Sequence, residues 1–409
     1  SAGLPPGRRR RLAVGRKRGL GSAMRVLENR TGQTLARPLR ILSMLRGQWD
    51  AQRLPALEAL ADLGHEVVYV DEVLPADGYR KLVARLDFDI AVLWGSSLQN
   101  FLMTAGEPFF LDELEIPYVS LWTDNPVKHL FLLKDVMTPM HRGMFIADTR
   151  VIEQMTGLGF DNLFYLPPWH IDPKIFHPVP PEPSLQANVG FAATVNGYDA
   201  ERGKWRMFWD YHMNAAADTI IEGLRAAGDH VDVLDSLPDD WDAFSLPFSL
   251  ISHAMYFEQK ALIRELVIEA MGGRDLHITG IGSGVSHRPN IHMRQGRAWN
   301  ELSPLFCSSR INLNCTPWPR SCHHRVFQIA ACRALAVTDW RDDAAALFEP
   351  DLEAVYFRSL DELPEIIDRF LSHPAEAGEI AEAGYRRFLA HHTAAHRMAE
   401  LSRILDQLV

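Results

Sequence analysis

The stretch LRILSMLRGQWDAQRLPALEALADLGHEVVYVDE, residues 39–72, has the pattern of a strand, a helix and a second strand in direct succession. Its two ends are short apolar runs, and its middle carries Leu and Ala at helical spacing until Gly64 ends the repeat. A strand that passes through a helix into another strand of the same sheet forms a right-handed crossover, in which the two strands lie parallel. The stretch therefore predicts an α/β fold with a parallel sheet.

The same alternation continues along the rest of the chain. Apolar runs at 87–95, 116–122 and 143–149 predict further strands, and their continuous apolar character indicates burial on both faces. Closely spaced prolines between 165 and 184 indicate a connection between two domains, with a ligand-binding cleft between them. The predicted parts are a disordered basic extension at 1–38, an N-terminal domain at 39–165, a linker at 166–185, a C-terminal domain at 186–390 with a helical insert at about 205–270, and a C-terminal helix at 391–409.

Length and composition agree with a two-domain globular protein. The chain has 409 residues, of which 47% are hydrophobic and 23% charged. No apolar run approaches the roughly 20 residues that a membrane helix needs, and no apolar stretch follows the basic N-terminus as in a secretory signal. Four cysteines lie in one region without a CxxC pair, which favours reduced thiols and a cytoplasmic location.

The charge of the chain is unevenly distributed. The net charge is −10, yet LPPGRRRRLAVGRKRGLGSAM, residues 4–24, is strongly basic and has no hydrophobic period. One interpretation is an arm that binds nucleic acid or anionic lipid. The interpretation that we prefer is an extension upstream of a natural start near Met24. The acidic remainder lacks the basic surface expected of a protein that binds duplex DNA.

The stretch SCHHRVFQIAACRALAVTDW, residues 321–340, is the strongest candidate for a binding site. A helix that begins near His324 would present free N–H groups beside Arg325, an arrangement suited to phosphate. Gln328, one turn later, is predicted to share that side and to bond a sugar hydroxyl. Three alternatives are a zinc site, a Cys322 nucleophile with a histidine base, and histidines that only line a surface loop.

Further candidates follow the other predicted strands. On the second domain they form a donor side, and on the first domain an acceptor side, where Asp124 in WTDNP is the candidate general base. A solvated loop, a tight turn and an Asx turn before proline are the alternatives for these positions. The predicted donor-binding residues are Thr194, Arg202, Lys204, Gly280, Gly282, His324, Arg325, Gln328 and Asp339. The predicted acceptor-side residues are Gly47, Trp49, Asp50 and Ser96.

Several segments, in order, resemble one family. NLFYLPPWHIDPKIFHP at 162–178, LFCSSRINLNCTPWP at 305–319, RVFQIAACRALAVTDW at 325–340 and VYFRSLDELPEIIDRFLSHP at 355–374 are similar to the CgeB-type (spore maturation protein) glycosyltransferases, including their C-terminal half of the "glycosyl transferases group 1" kind. The resemblance is good from about 160 to 400, apart from the insert, and looser from 39 to 150.

The resemblance implies the GT-B architecture. In it two Rossmann-like domains hold a nucleotide-sugar donor in their cleft, and the end of the chain crosses back to the first domain. Arg325 matches the arginine of the family's R-x-F-E motif, whereas Gln328 stands where that motif has glutamate and Arg333 where the family has glycine. The implied activity is transfer of a hexosyl-type sugar from a UDP-, GDP- or dTDP-sugar to a glycan, protein or small molecule, without a metal or another cofactor.

Two other functions remain alternatives. The first is a GT-B-shaped nucleotide-binding or scaffold protein without catalysis, which the glutamine at 328 favours. The second is a nucleic-acid-directed transferase that uses the basic arm. The sequence leaves open peripheral membrane contact and the oligomeric state.

Overall fold

A computed structural model describes residues 23–44, 50–72, 74–95, 109–134, 138–238, 241–280, 282 and 288–409. In these residues the chain forms two α/β domains, each built on one sheet. The first sheet has seven strands in the order β1-β3-β2-β4-β5-β6-β7, and the second has six in the order β10-β9-β8-β11-β12-β13. All pairings are parallel except that of β1 with β3. The prediction of an α/β fold with parallel sheets is confirmed.

The first domain alternates strands and helices. Its strands are β1 Met24–Val26, β2 Arg40–Met44, β3 Glu66–Val70, β4 Ile90–Trp94, β5 Tyr118–Trp122, β6 His141–Ile146 and β7 Leu163–Tyr165. Its described helices are α1 Asp50–Asp62, α2 Ala76–Val83, α3 Phe110–Glu113, α4 Leu130–Leu133 and α5 Thr149–Gly157, with a 3-10 turn at Pro126–His129. Every residue of β4 and β5 is buried, because helices cover both faces of the sheet.

The second domain repeats this plan after the proline-rich connection. Its strands are β8 Ala187–Ala192, β9 Leu276–Gly280, β10 Ile291–Gln295, β11 Ser309–Asn314, β12 Ala336–Asp339 and β13 Val355–Phe357. Its helices are α6 Tyr198–Gly203, α7 Tyr211–Ala227, α8 Val233–Ser236, α9 Leu246–Ala270, α10 Ser303–Ser308, α11 His324–Ala331, α12 Asp342–Leu347, α13 Leu363–Ser372, α14 Pro374–His391 and α15 Ala394–Leu408. Short 3-10 turns lie at Pro183–Leu185, Arg206–Phe208, Trp299–Glu301 and Leu360–Glu362.

The C-terminal helix α15 returns to the first domain. Leu401 and Leu405 are fully buried in the same apolar cluster as Leu57 and Leu60 of α1. Ser402 lies 2.8 Å from Nε2 of the buried His65, at the start of β3. The predicted crossing of the chain end onto the first domain is confirmed, and it joins the two domains through a shared core.

Two predictions about the chain's organisation need correction. The extension was expected to reach residue 38, but Met24–Val26 is an edge strand on β3, and Arg30 pairs with Asp62. A three-residue edge strand carries too little periodicity to be recognised in the sequence. Residues 1–22 lie outside the described part of the chain.

The predicted insert at 205–270 is helical, but it is not an appendage. It is most of the crossover between β8 and β9, and α9 contributes Ile251, Met255 and Val267 to the core of the second domain. Strand β10 was not predicted, because its residues are mostly exposed and only two of the five, Ile291 and Met293, are apolar. In the described part of the chain, no helix combines the length and hydropathy required to cross a bilayer.

Arg333 occupies a backbone position that favours glycine. It follows the end of α11 with φ +55°, and its N–H donates to the carbonyl of Ala330 (2.9 Å). A left-handed residue just after a helix closes the last turn, and glycine adopts it without steric cost. The guanidinium of Arg333 forms a partially exposed ion pair with Glu382.

We expect the Arg333→Gly variant to be more stable than the Arg333→Ala variant, with a free energy of unfolding about 1 kcal/mol higher. Both variants lose the ion pair, but only glycine relieves the strain of the left-handed backbone. Urea denaturation of both variants measures the difference. Equal stability of the glycine and alanine variants would show that the backbone at this position is not strained.

Candidate functional site

A cavity of about 820 Å³ lies between the two domains, at the carboxyl ends of both sheets. The first domain contributes residues that follow β4 and β5, and the second contributes those that follow β8 and β9. One side of α9 and the first turn of α11 complete the wall, together with Trp169 and His170 from the interdomain connection. Polar loops meet here because parallel strands direct all their carboxyl ends to one edge.

Three cations form the centre of the cavity wall. Lys260 and Arg264 lie one turn apart on α9, and Arg325 lies in the first turn of α11. Arg264 donates to the backbone carbonyl of Thr194, and Nη1 of Arg325 donates to Oδ1 of Asn314 (3.3 Å). In the described part of the chain none of the three has a carboxylate at ion-pair distance, and Nε of both arginines has no hydrogen-bond partner.

The crowding of like charges changes how these groups titrate. Burial, followed by the charges of Arg264 and Arg325, lowers the pKa of Lys260 to about 7. Burial and the charge of Arg264 lower the pKa of Arg325 to about 9. Uncompensated positive charge that is partly withdrawn from water strongly favours an anionic ligand. The geometry therefore indicates an anion site.

The histidines at the start of α11 contribute hydrogen bonds rather than charge. His323 is the N-cap residue, and its Nδ1 accepts from the backbone N–H of Arg325 (3.3 Å). Burial, then the neighbouring His324, holds the pKa of His323 well below its usual range. The pKa of His324 is lowered in the same way by burial and by His170. Both imidazoles are therefore neutral at pH 7 at the start of the helix.

The first-domain wall of the cavity carries Asp124. The side chain of the next residue, Asn125, accepts from Val127 N–H (2.9 Å) and forms the Asx turn before Pro126. Asp124 is thereby left to face the cavity, with 51% of its side chain exposed. Its Oδ1 lies 3.8 Å from Nζ of the buried Lys128, which also stacks over the ring of Tyr256 at 4.1 Å. Asp124 is the one carboxylate among the described residues that line the cavity.

The structure brings part of the predicted site together. Asp124, Thr194, Gly280, His324 and Arg325 all line the cavity. Gly280 is required by the chain itself, since a Cβ there would overlap the backbone carbonyl of Ala193. The loop glycine is thus explained by close packing of two backbone segments.

Other predicted donor residues lie away from the cavity. Arg202 pairs with Asp218 at 3.2 Å, and Lys204 pairs with Glu201 at 2.7 Å. Gly282 packs against the carbonyl of Val195 and does not line the cavity.

Gln328 and Asp339 are buried behind the cavity wall. Gln328 was expected on the same side as His324, but it is fully buried, and neither of its amide atoms has a partner in the described structure. The wall ends one turn before it, so a contact with a ligand would require the start of α11 to move. Asp339 accepts from Thr316 N–H (2.9 Å) and pairs with Arg341 (2.9 Å), so its carboxylate is already used.

The acceptor-side predictions fall mostly on residues whose structure is not described. Gly47, Trp49 and Ser96 lie outside the described residues, and Asp50 begins α1 without a described side chain. Those four roles stay predictions. Within the described residues, no group of three or more His, Cys, Asp or Glu side chains is arranged to hold a metal ion.

Sequence reasoning missed the cations of α9. Lys260 and Arg264 stand four residues apart within YFEQKALIRELVIEA, an otherwise apolar helical pattern. Two basic residues at this spacing share one helix face, and that face was the available signal. Trp94 and Trp169, which stack at 4.5 Å on the cavity wall, had no comparable signal, because they come from separate parts of the chain.

Comparison with known proteins agrees with this geometry. Residues 259–403 match the model of a family described as glycosyl transferase-like. Solved structures with a similar fold include Anabaena HepE in complex with UDP and glucose (TM-score 0.54, 10% identity, 90% of this chain and 99% of that chain). The sucrose-phosphate synthase of Thermosynechococcus elongatus is similar as well (TM-score 0.53, 9% identity, 90% of this chain and 99% of that chain).

A third similar structure is an alpha-glucosyltransferase in complex with UDP and a 13-mer DNA (TM-score 0.52, 14% identity, 90% of this chain and 100% of that chain). A search of curated protein sequences finds no match to this chain. The structural similarities confirm the GT-B fold that the sequence resemblance implied. A shared fold does not by itself establish an activity.

We expect Lys260→Met to raise the free energy of unfolding at pH 6 by about 1–3 kcal/mol, because it removes a half-buried cation that has no carboxylate partner in the described structure. Below pH 7 the lysine is charged in both the folded and the unfolded chain, and its full cost is present. Between pH 7 and about 10.5 only the unfolded chain keeps the proton, so the gain shrinks as pH rises. Because Lys260 is partly exposed to the cleft, the expected gain in stability is smaller than the free energy that corresponds to its full pKa shift.

Denaturant titrations of both proteins from pH 6 to pH 10 measure this trend. Lys81→Met is a suitable control, because Lys81 is a 74% exposed lysine on α2. A pH-independent difference at Lys260, or a loss of stability, would show that the site does not disfavour the charged lysine.

Proposed function

We propose that this protein is a glycosyltransferase that moves a sugar from a nucleotide-sugar donor to an acceptor hydroxyl. The observation that carries the proposal is the group of three cations, Lys260, Arg264 and Arg325, without carboxylate partners in an interdomain cleft. A nucleoside diphosphate has the charge and the size to neutralise such a group. The family match over 259–403 and the UDP-bound structures with the same fold support this choice of ligand.

The proposed mechanism relies on electrostatic stabilisation of the leaving group. As the bond between the sugar and the diphosphate breaks, negative charge accumulates on the diphosphate oxygens. Lys260, Arg264 and Arg325 are held in place before the reaction, so they stabilise this charge without reorganisation. The positive end of the α11 dipole adds to the same effect. In this proposal no metal ion is needed to balance the leaving group.

The acceptor would enter from the first domain. Asp124 is half exposed on the first-domain wall and has room to accept a proton from an attacking hydroxyl. In an inverting transfer, Asp124 is the proposed general base.

Finer assignments belong to the same proposal. Thr194, Gly280 and His324 lie close enough to the cations to contact the donor, whereas Gln328 is proposed as a donor contact only if α11 moves. The CgeB-type subfamily, a UDP-, GDP- or dTDP-hexose as donor, and a cytoplasmic location are further parts of the proposal. The buried glutamine at 328 also favours a second candidate, a nucleotide-binding protein of this fold that does not catalyse transfer.

A thermal-shift panel of nucleoside diphosphates and nucleotide sugars tests the donor site. One nucleotide should raise the melting temperature, since a ligand that binds only the folded state stabilises it. Arg325→Ala and Arg264→Ala should each lose most of that shift. Arg369→Ala, at an exposed arginine of α13, should retain it. A wild-type protein that responds to no nucleotide would refute the donor site.

Asp124→Asn separates catalysis from binding. We expect the rate of donor hydrolysis or transfer to fall by about 100-fold or more, because a general base contributes that much to proton transfer. The dissociation constant of the donor should stay within about threefold, since Asp124 is not at ion-pair distance from any of the three cations. Turnover equal to that of the wild type would exclude Asp124 as the base.

A further inference from the structure

One buried carboxylate connects the first domain to the segment that precedes α11. Asp148 lies between β6 and α5 and is 3% exposed. Its Oδ1 accepts from the backbone N–H groups of Arg150 (2.9 Å) and Val151 (3.2 Å), which caps α5. Its Oδ2 accepts from the backbone N–H groups of Arg320 (2.9 Å) and Ser321 (2.8 Å) in the second domain.

The segment that Asp148 holds leads directly into the cation site. Residues 315–323 connect β11 to α11, and within them Pro317, Trp318 and His323 line the cavity. Ser321 comes two residues before the N-cap His323 and four before Arg325. Fixing the backbone at 320–321 therefore restricts where α11 can begin and where its first turn points.

Neighbouring contacts also join the two domains, but none of them accepts from the N–H groups of residues 320–321; within the second domain the N–H of Asp343 donates to the carbonyl of Arg320 (3.1 Å). The N–H and hydroxyl of Thr149 donate to the carboxylate of Asp343 (2.9 and 2.7 Å). Nη1 of Arg320 pairs with Glu153 at 2.6 Å, through the side chain alone. Asp148 thus differs from these neighbours, because its carboxylate accepts from the main-chain N–H groups of the donor-site segment.

We propose that Asp148 is a positioning residue for the donor, and that the affinity for the nucleoside diphosphate depends on it although it lies in the opposite domain. This inference rests on the proposed function. Without Oδ2, two backbone N–H groups lose their acceptor, and the buried one on Ser321 must find another by shifting the segment. A small displacement of Arg325 and of the helix start weakens contacts that depend on geometry.

The substitutions are chosen to separate the two functions of the carboxylate. Asp148→Asn can keep the cap of α5, because asparagine is a good N-cap residue, but its amide cannot serve both sets of donors. Asp148→Ser has a hydroxyl that also caps a helix and is too short to reach residues 320–321. The matched control is Thr149→Val, which removes a hydrogen bond between the domains at the same interface and leaves the 320–321 backbone held.

Calorimetric titration with UDP and donor-hydrolysis kinetics test the proposal in the full chain. We expect Asp148→Asn and Asp148→Ser to raise the Kd for UDP by about tenfold, and to lower kcat as well as raise the KM for the donor, because the displaced Arg325 also stabilises the leaving group. The urea midpoint of the serine variant should stay close to that of the wild type, and Thr149→Val should bind UDP normally.

Each other outcome decides a separate point. Wild-type affinity in both Asp148 variants would overturn the positioning role and leave the proposed function intact. An equal loss of affinity in Thr149→Val would show that affinity follows contact between the domains, not the 320–321 segment. A wild-type protein that does not bind UDP or another nucleoside diphosphate would reject the proposed function and this inference together.

Discussion

The parallel arrangement of the strands is the constraint on which the rest of the structure depends. Since every pairing except that of β1 is parallel, the loops that leave the carboxyl ends collect at one edge of each sheet. The crossing of α15 onto α1 and the hydrogen bonds of Asp148 hold these two edges face to face. The interdomain cleft and its polar wall follow from that arrangement.

Within the cleft, positive charges without carboxylate partners destabilise the folded chain. Lys128 has a carboxylate as a partner, whereas in the described part of the chain Lys260, Arg264 and Arg325 have none: Lys260 lies over the rings of Tyr256 and Phe257, and the two arginines donate to neutral oxygens. Buried charges are normally paired, and exceptions concentrate where a ligand supplies the missing charge. The lowered pKa of Lys260 has the same origin, because burial and the neighbouring positive charges disfavour its charged form. Stability and ligand binding are thus opposed at the same three side chains.

The sequence predicted the fold more completely than the site. Continuous apolar runs such as those of β4 and β5 identify buried parallel strands without any tertiary information. The start of α11 was also predictable, because the apolar residues that follow it at helical spacing are a local pattern. Lys260 escaped notice because it lies 65 residues before Arg325 in a helix whose periodicity indicates core packing. Gln328 was placed wrongly because helical spacing identifies a shared face but not the depth at which that face becomes buried.

By itself, the sequence determined the order of strands and helices, the division into two α/β domains and the resemblance that implied their architecture, because these depend on hydrophobic periodicity and local motifs. Only the tertiary structure decided which cations converge, that Arg202 and Lys204 are neutralised by nearby acids, and that Asp148 reaches across to residues 320–321. These outcomes depend on distances between segments far apart in the chain. Such distances are set by how the two domains pack, and local periodicity does not encode them.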